Sequence, residues 1–197
     1  MSTTVSEGGR GKFQEASEGA HPARAFRVLD LGTQPGSDLY PNPKKKIVIF
    51  WELSDETVEV DGEPKPQIVS EWFTASLHEK SKLRPFLESW RGKPFTAEEA
   101  KGFDVAKLLG APCLLNIIHN DDGRARIAGV MRLPKGMTAA EPFNPPVQYS
   151  IEDGESEVFK SLSERMQDII RQAEEWRGSA APESAQGDPV SSDDIPF

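Results

Sequence analysis

The side chains of this 197-residue chain that are equipped for chemistry fall into two groups. The first is a scatter of titratable residues without the spacing that catalysis or metal binding requires. His119, Asn120, Asp121 and Asp122 set an imidazole beside carboxylates, but the spacing fits no metal-ligand pattern. A hairpin turn accounts for all four, with Gly123 supplying positive φ. His21 and His78 have no histidine or cysteine nearby, and Cys113, the single cysteine, follows Pro112 in an apolar run and reads as a core residue. No phosphate-binding glycine loop occurs. The expectation is a protein that is not an enzyme, with no catalytic residue, metal or cofactor.

The second group consists of cations and rings. Lys44, Lys45 and Lys46 form a basic triplet, Arg124, Arg126 and Arg132 recur along one short stretch, and Phe50, Trp51 and Trp72 lie in β-rich runs. Cations can follow a phosphate backbone while aromatic faces stack on bases whatever their identity, which is the chemistry of single-strand nucleic-acid binding.

The elements that would position these residues can be read from periodicity. Phe26–Leu31 and Ile47–Leu53 are strand-like, and Ile68–Leu77 puts Val69, Phe73, Ala75 and Leu77 on one face, so Trp72 should stand on the other with Ser70, Thr74 and Ser76. In the second run Ile47, Ile49, Trp51 and Leu53 alternate with Val48, Phe50 and Glu52. Either set fits an interior, so one of Phe50 and Trp51 must face outward. Between the first two strands, Pro35, Gly36, Pro41, Asn42 and Pro43 dictate a loop that ends in the lysine triplet, and Asp61-Gly62 marks a hairpin turn. Leu83, Phe86, Leu87 and Trp90 share a helical face, and Pro85 within it means that the helix either starts near Lys82 or is kinked there. Thr96 and Glu99 have the spacing of a capping box, and Phe103–Leu109 gives a further helical turn. Cys113–His119 and Arg124–Leu133 then form a hairpin. Alternation in its second arm groups Arg124, Arg126 and Arg132 with Ala128 and Val130, opposite Ile127, Met131 and Leu133.

Three strands, helices, and two more strands is the order of the OB-fold, a five-stranded Greek-key barrel whose strand 2 to 3 face and flanking loops bind oligonucleotides or oligosaccharides. The domain is expected over 24–135, behind a disordered leader at 1–23 that is rich in Gly, Ser and Glu. A linker follows at 136–153. An amphipathic helix is expected at 154–176, with Val158, Leu162, Met166, Ile169, Ile170 and Ala173 along one side, either packed on the domain or serving as a homo-oligomer contact. Residues 177–197 read as a disordered acidic tail.

The net charge of −9 would ordinarily count against a nucleic-acid partner, but its distribution matters more than its sum. Residues 24–135 hold 17 basic and 16 acidic side chains, whereas 136–197 hold 4 and 13, so the acid lies outside the domain. No apolar run approaches the roughly 20 residues of a membrane span. The first residues lack the pattern of a signal peptide, and a single cysteine suits the reducing cytoplasm.

The final residues, Asp193, Asp194, Ile195, Pro196 and Phe197, resemble the acidic tip of bacterial single-stranded DNA-binding proteins. That resemblance implies a docking element for replication and repair partners. Phe197 would fill an apolar pocket and the aspartates would steer the encounter. Within the domain, Leu77-His78-Glu79-Lys80-Ser81, Glu88–Phe95 and Leu109–Leu114 resemble a group of phage-encoded single-stranded DNA-binding proteins. The resemblance implies binding and protection of single strands during replication, recombination or repair. The competing expectation is an adaptor that uses the tail in the same way but whose domain binds protein.

Overall fold

The computed structural model describes residues 14–179. It is mainly β. Strands β1 (Gly19–Gln34), β2 (Lys44–Val60), β3 (Glu63–Thr74), β4 (Pro112–His119) and β5 (Ala125–Met131) form an open sheet in the order β3-β2-β1-β4-β5, each neighbour antiparallel. A short β6 (Val147–Tyr149) joins it parallel to β1. The helices are short: α1 (Leu83–Arg91), α2 (Glu157–Ser161), α3 (Glu164–Arg171) and α4 (Glu174–Ser179), with 3-10 turns at Glu99–Lys101, Val105–Leu108 and Ile151–Asp153.

Local chemistry explains the boundaries. Asp61 and Gly62 both hold positive φ, 56° and 80°, as a tight hairpin between β2 and β3 requires. Pro85 falls in the first turn of α1, where its missing N–H is not needed, and Gly92 ends the helix in the left-handed conformation. Thr96 and Glu99 make the reciprocal capping contacts: the Glu99 carboxylate accepts from the Thr96 N–H at 3.0 Å, and the Thr96 hydroxyl accepts from the Glu99 N–H at 3.1 Å.

The sheet has an apolar layer on each side. On the inner side, Ile47, Ile49, Trp51, Leu53 and Phe73 pack with Leu83, Leu87 and Trp90 of α1. Trp51 lies 5.7 Å from Trp90 and 5.9 Å from Phe86, ring centre to ring centre. On the outer side, Leu29, Leu31 and Val48 are covered by Tyr149, Ile151, Phe159, Leu162, Ile170 and Ala173. Gly32 permits this second layer to close, because a Cβ there would stand 2.7 Å from the Ala173 Cβ, and its φ of +69° suits glycine.

Three expectations are corrected. Order reaches well upstream of Phe26: β1 begins at Gly19, Ala16 is buried, and residues 14–18 are pinned by polar contacts, including Gln67 Nε2 to the Gln14 carbonyl at 2.7 Å. Residues 136–153 are a strap, not a free linker. Glu52, buried on β2, accepts from the backbone N–H groups of Phe143 and Asn144 at 2.8 and 3.0 Å, and Ser54 Oγ accepts from the Ala140 N–H. The expected 154–176 helix is three helices: Ser156 caps α2, Ser163 caps a new start after Ser161 by accepting from the Met166 N–H, and a turn at Gln172 and Ala173 separates α3 from α4. Of the two roles open to its apolar stripe, packing on the chain's own sheet is the one seen, with Leu162, Ile170 and Ala173 buried against it.

Candidate functional site

The cross-strand register of β2 and β3 assembles the outward residues. Lys46 lies opposite Thr74, Val48 opposite Trp72, Phe50 opposite Ser70, and Glu52 opposite Ile68. Trp72 stands outward as its alternation requires and is 41% exposed, while its neighbour Phe73 is buried. Ile68 is exposed to the same degree on the same side of β3. An indole between serine and threonine, open to solvent, offers a flat apolar face with no packing duty in the core.

Cations and a second ring flank Trp72 at one end. The Lys46 ammonium donates to Thr74 Oγ1 at 3.0 Å, so it is held beside the strand. The loop joining β1 to β2 presents Leu39 and Tyr40 almost fully to solvent, and Lys44 places its ammonium 5.5 Å from the Tyr40 ring centre. This loop folds back tightly on itself. Ser37 and Tyr40 exchange backbone hydrogen bonds at 2.9 and 3.0 Å, and a Cβ at Gly36 would strike the Pro41 carbonyl at 2.1 Å.

At the other end lies a groove of about 460 Å³, walled by Phe50, Val60, Ile68, Ser70 and the exposed Phe143 of the strap. Behind Phe50, the Arg27 guanidinium sits 5.4 Å from the Phe26 ring and 5.5 Å from the Phe50 ring. Burial lowers its pKa from the ordinary guanidinium value. Its buried Nε has no hydrogen-bond partner among the described residues. Phe50 is therefore half-buried and stiffened from behind.

The structure brings together Lys44, Lys46, Phe50 and Trp72, and places three other expected residues elsewhere. Trp51 is fully buried in the inner core and cannot stack on a ligand, which makes Phe50 the outward member of that pair. Lys45 points to the opposite side of β2 from Lys44 and Lys46. It is ion-paired to Asp30 at 2.9 Å, and the hydrogen bond to Asp30 raises its pKa above the ordinary lysine value. Arg132 packs against Gly92 at the end of α1, in a cleft with Trp90 and Lys107. A bulge at Ala128 is the reason: Asn116 pairs with Gly129 and Ile117 with Ile127, so alternation resets within β5. Ile127 and Val130 are consequently both buried, while Met131 turns out to solvent.

Arg124 and Arg126 lie before that bulge and reach a different feature. The unpaired edges of β3 and β5 border a cleft of about 340 Å³, lined by Gln67–Ser70 from one strand and Arg124–Ile127 from the other. Glu15 is also there, its carboxylate accepting from the Ala125 N–H at 2.9 Å.

Tyr40, Leu39, Ile68, Phe143 and Arg27 were not singled out by sequence. Ile68 shares the alternation that exposes Trp72, and an aromatic in a Pro-rich loop such as Tyr40 is itself a signal. The positions of Arg27 and Phe143 depend on tertiary packing. Asp193, Asp194, Ile195, Pro196 and Phe197 lie outside the described residues.

Among the described residues, no group of three or more His, Cys, Asp or Glu is placed to hold a metal ion, and no helix is long and apolar enough to cross a membrane. His119 is engaged otherwise, its Nε2 lying 2.7 Å from the Ala16 carbonyl. Cys113 is buried, and that burial raises its thiol pKa, which disfavours the thiolate. Compared with known proteins, the chain matches no family model, no curated protein and no solved structure.

Proposed function

We propose that the chain binds single-stranded DNA along the outer face of β3, with Trp72 as the central stacking platform, Phe50 and Tyr40 as secondary rings, and Lys44, Lys46, Arg124 and Arg126 as phosphate contacts. The observation that carries this reading is the exposure of Trp72 between small polar residues on a strand flanked by cations. Stacking is indifferent to base identity, so binding should have little sequence preference and should weaken steeply with salt.

The sheet supports an OB-fold reading. Its strand order places α1 between β3 and β4 in the chain, and the two edge strands β3 and β5 border one cleft, as in a barrel that is not fully closed. On that reading β6 and α2 to α4 are additions. The tip Asp193–Phe197 would dock replication or repair proteins, so the protein would protect single strands, in a phage-type system, while recruiting partners. An adaptor function is favoured by one observation, the apolar groove at Phe143 and Ile68, which would also suit a peptide.

Anisotropy titrations with a poly-dT oligonucleotide and with duplex DNA, each over a salt series, separate the two. A single-strand binder gives tighter, salt-dependent binding to poly-dT. An adaptor gives no saturable binding to either.

A further inference from the structure

The arginines of this protein are not used alike. Arg84 and Arg91 are held by Glu88 and Glu99, Arg171 by Asp168, and Arg24 by the carbonyls of Gly110 and Ala140. By contrast, the guanidinium groups of Arg124, Arg126 and Arg165 have no hydrogen-bond or ion-pair partner among the described residues, and all three line the cleft between β3 and β5. Arg124 and Arg126 come from β5 itself. Arg165 comes from α3, in the layer that covers the outer face of the sheet.

Three guanidinium groups around one cleft repel each other, and the single carboxylate there, Glu15, is already accepting from the Ala125 N–H. Such a concentration of unpaired charge in a concave, polar site focuses a positive potential and suits an anion with several oxygens, since each guanidinium offers a fork of donors. The cleft is also continuous with the stacking surface. Ile68 and Ser70 line it, and period-two alternation carries their face of β3 on to Trp72, about 13 Å from Ile68 along the strand. A strand stacked on Trp72 and following β3 therefore enters it.

We infer that this cleft takes the phosphodiester backbone of the same bound strand, and that Arg165 is a phosphate-binding residue delivered by the covering helices. This rests on the single-strand reading above and extends it, because the C-terminal layer becomes one wall of the binding site as well as a cover for the sheet.

The test uses the full chain and poly-dT, comparing Arg165→Ala, Arg165→Gln and Arg165→Lys with Arg126→Ala over a salt series. Arg165 is exposed at the first turn of α3, so melting temperatures should match the parent. The expected result for Arg165→Ala and Arg165→Gln is a slope of log affinity against log salt shallower by about 0.7, or about threefold in affinity over a fivefold change in salt. Arg165→Lys should restore the slope. If both neutral variants keep the parental slope while Arg126→Ala lowers it, the inference fails and the single-strand reading stands. If the parent itself does not bind poly-dT, that reading fails and this one with it.

Discussion

Val48 and Trp72 face each other across two neighbouring strands and point to the same side of the sheet, yet Val48 is fully buried and Trp72 is 41% exposed. The covering layer stops between them. Over β1 and β2, Phe159, Leu162, Ile170 and Ala173 exclude water, so apolar side chains there contribute to stability by burial. Over β3 no helix among the described residues completes the cover, and the same kind of side chain is left for a ligand. One sheet face thus has a structural half and an open half, and the boundary follows where three short helices end.

The inner face sets the upper end of the energy scale. Trp51 is wedged against Phe86 and Trp90 beneath the same strand that carries Phe50 outward. Trp51→Ala should cost about 3 to 5 kcal/mol through lost burial and the cavity left behind, measured by urea unfolding. A loss of less than about 1 kcal/mol would mean that the inner core is not what holds the sheet. On the covered half, Ile170→Ala should cost about 2 to 5 kcal/mol by the same mechanism. It should also expose Leu29, Leu31 and Val48 more often, which amide exchange in β1 and β2 would register. Unchanged exchange there would show that the helices do not seal this face.

How much of this was readable in the sequence varies by residue. Trp72 was legible because β3 is amphipathic: one face is core, so alternation alone sends the indole outward. The choice between Phe50 and Trp51 was not legible, because β2 is apolar on both faces. The apolar outer face is explained by a layer formed from residues beyond Val147, which local periodicity does not reveal. The 154–176 stripe was seen correctly as apolar and periodic. Its breaks, at Leu162–Ser163 and Gln172–Ala173, interrupt the backbone without interrupting the spacing of the buried positions, so periodicity does not report them. Arg132 was misplaced by a single extra residue, Ala128, since one bulge inverts every later side chain. The ordering of residues 14–23 rests on backbone and carboxylate contacts with β2 to β5, which composition does not report.

On the open half the scale moves from stability to binding. Trp72→Ala should leave urea unfolding nearly unchanged, since much of the ring is already in water, and should weaken poly-dT binding by about 1 to 3 kcal/mol. Equal affinity in a folded variant would remove Trp72 from the platform. A large loss of stability would instead extend the structural half of the face across β3 and erase the comparison.

The smallest effects fall within the lysine triplet, where one residue of alternation separates two fates. Lys44 and Lys46 share the side of β2 that faces Tyr40 and Thr74, while Lys45 reaches the other side and pairs with Asp30. Replacing Lys46 by Ala should make the log affinity versus log salt slope for poly-dT shallower by about 0.7, the amount expected for one phosphate contact on a single strand. Replacing Lys45 should leave that slope alone. Its signature should be in stability, and the sign follows from its raised pKa. A lysine whose folded pKa lies above the unfolded one stabilises the fold fully below the unfolded value, and loses that contribution as pH rises through the folded value. The parent and Lys45→Ala should therefore differ in melting temperature at neutral pH and converge as pH rises past the ordinary lysine range. The side chain is half exposed, so solvent screening keeps that difference small. If Lys45→Ala lowers the salt slope and Lys46→Ala does not, the strand runs on the opposite side of β2 and the assignment of the two halves is reversed.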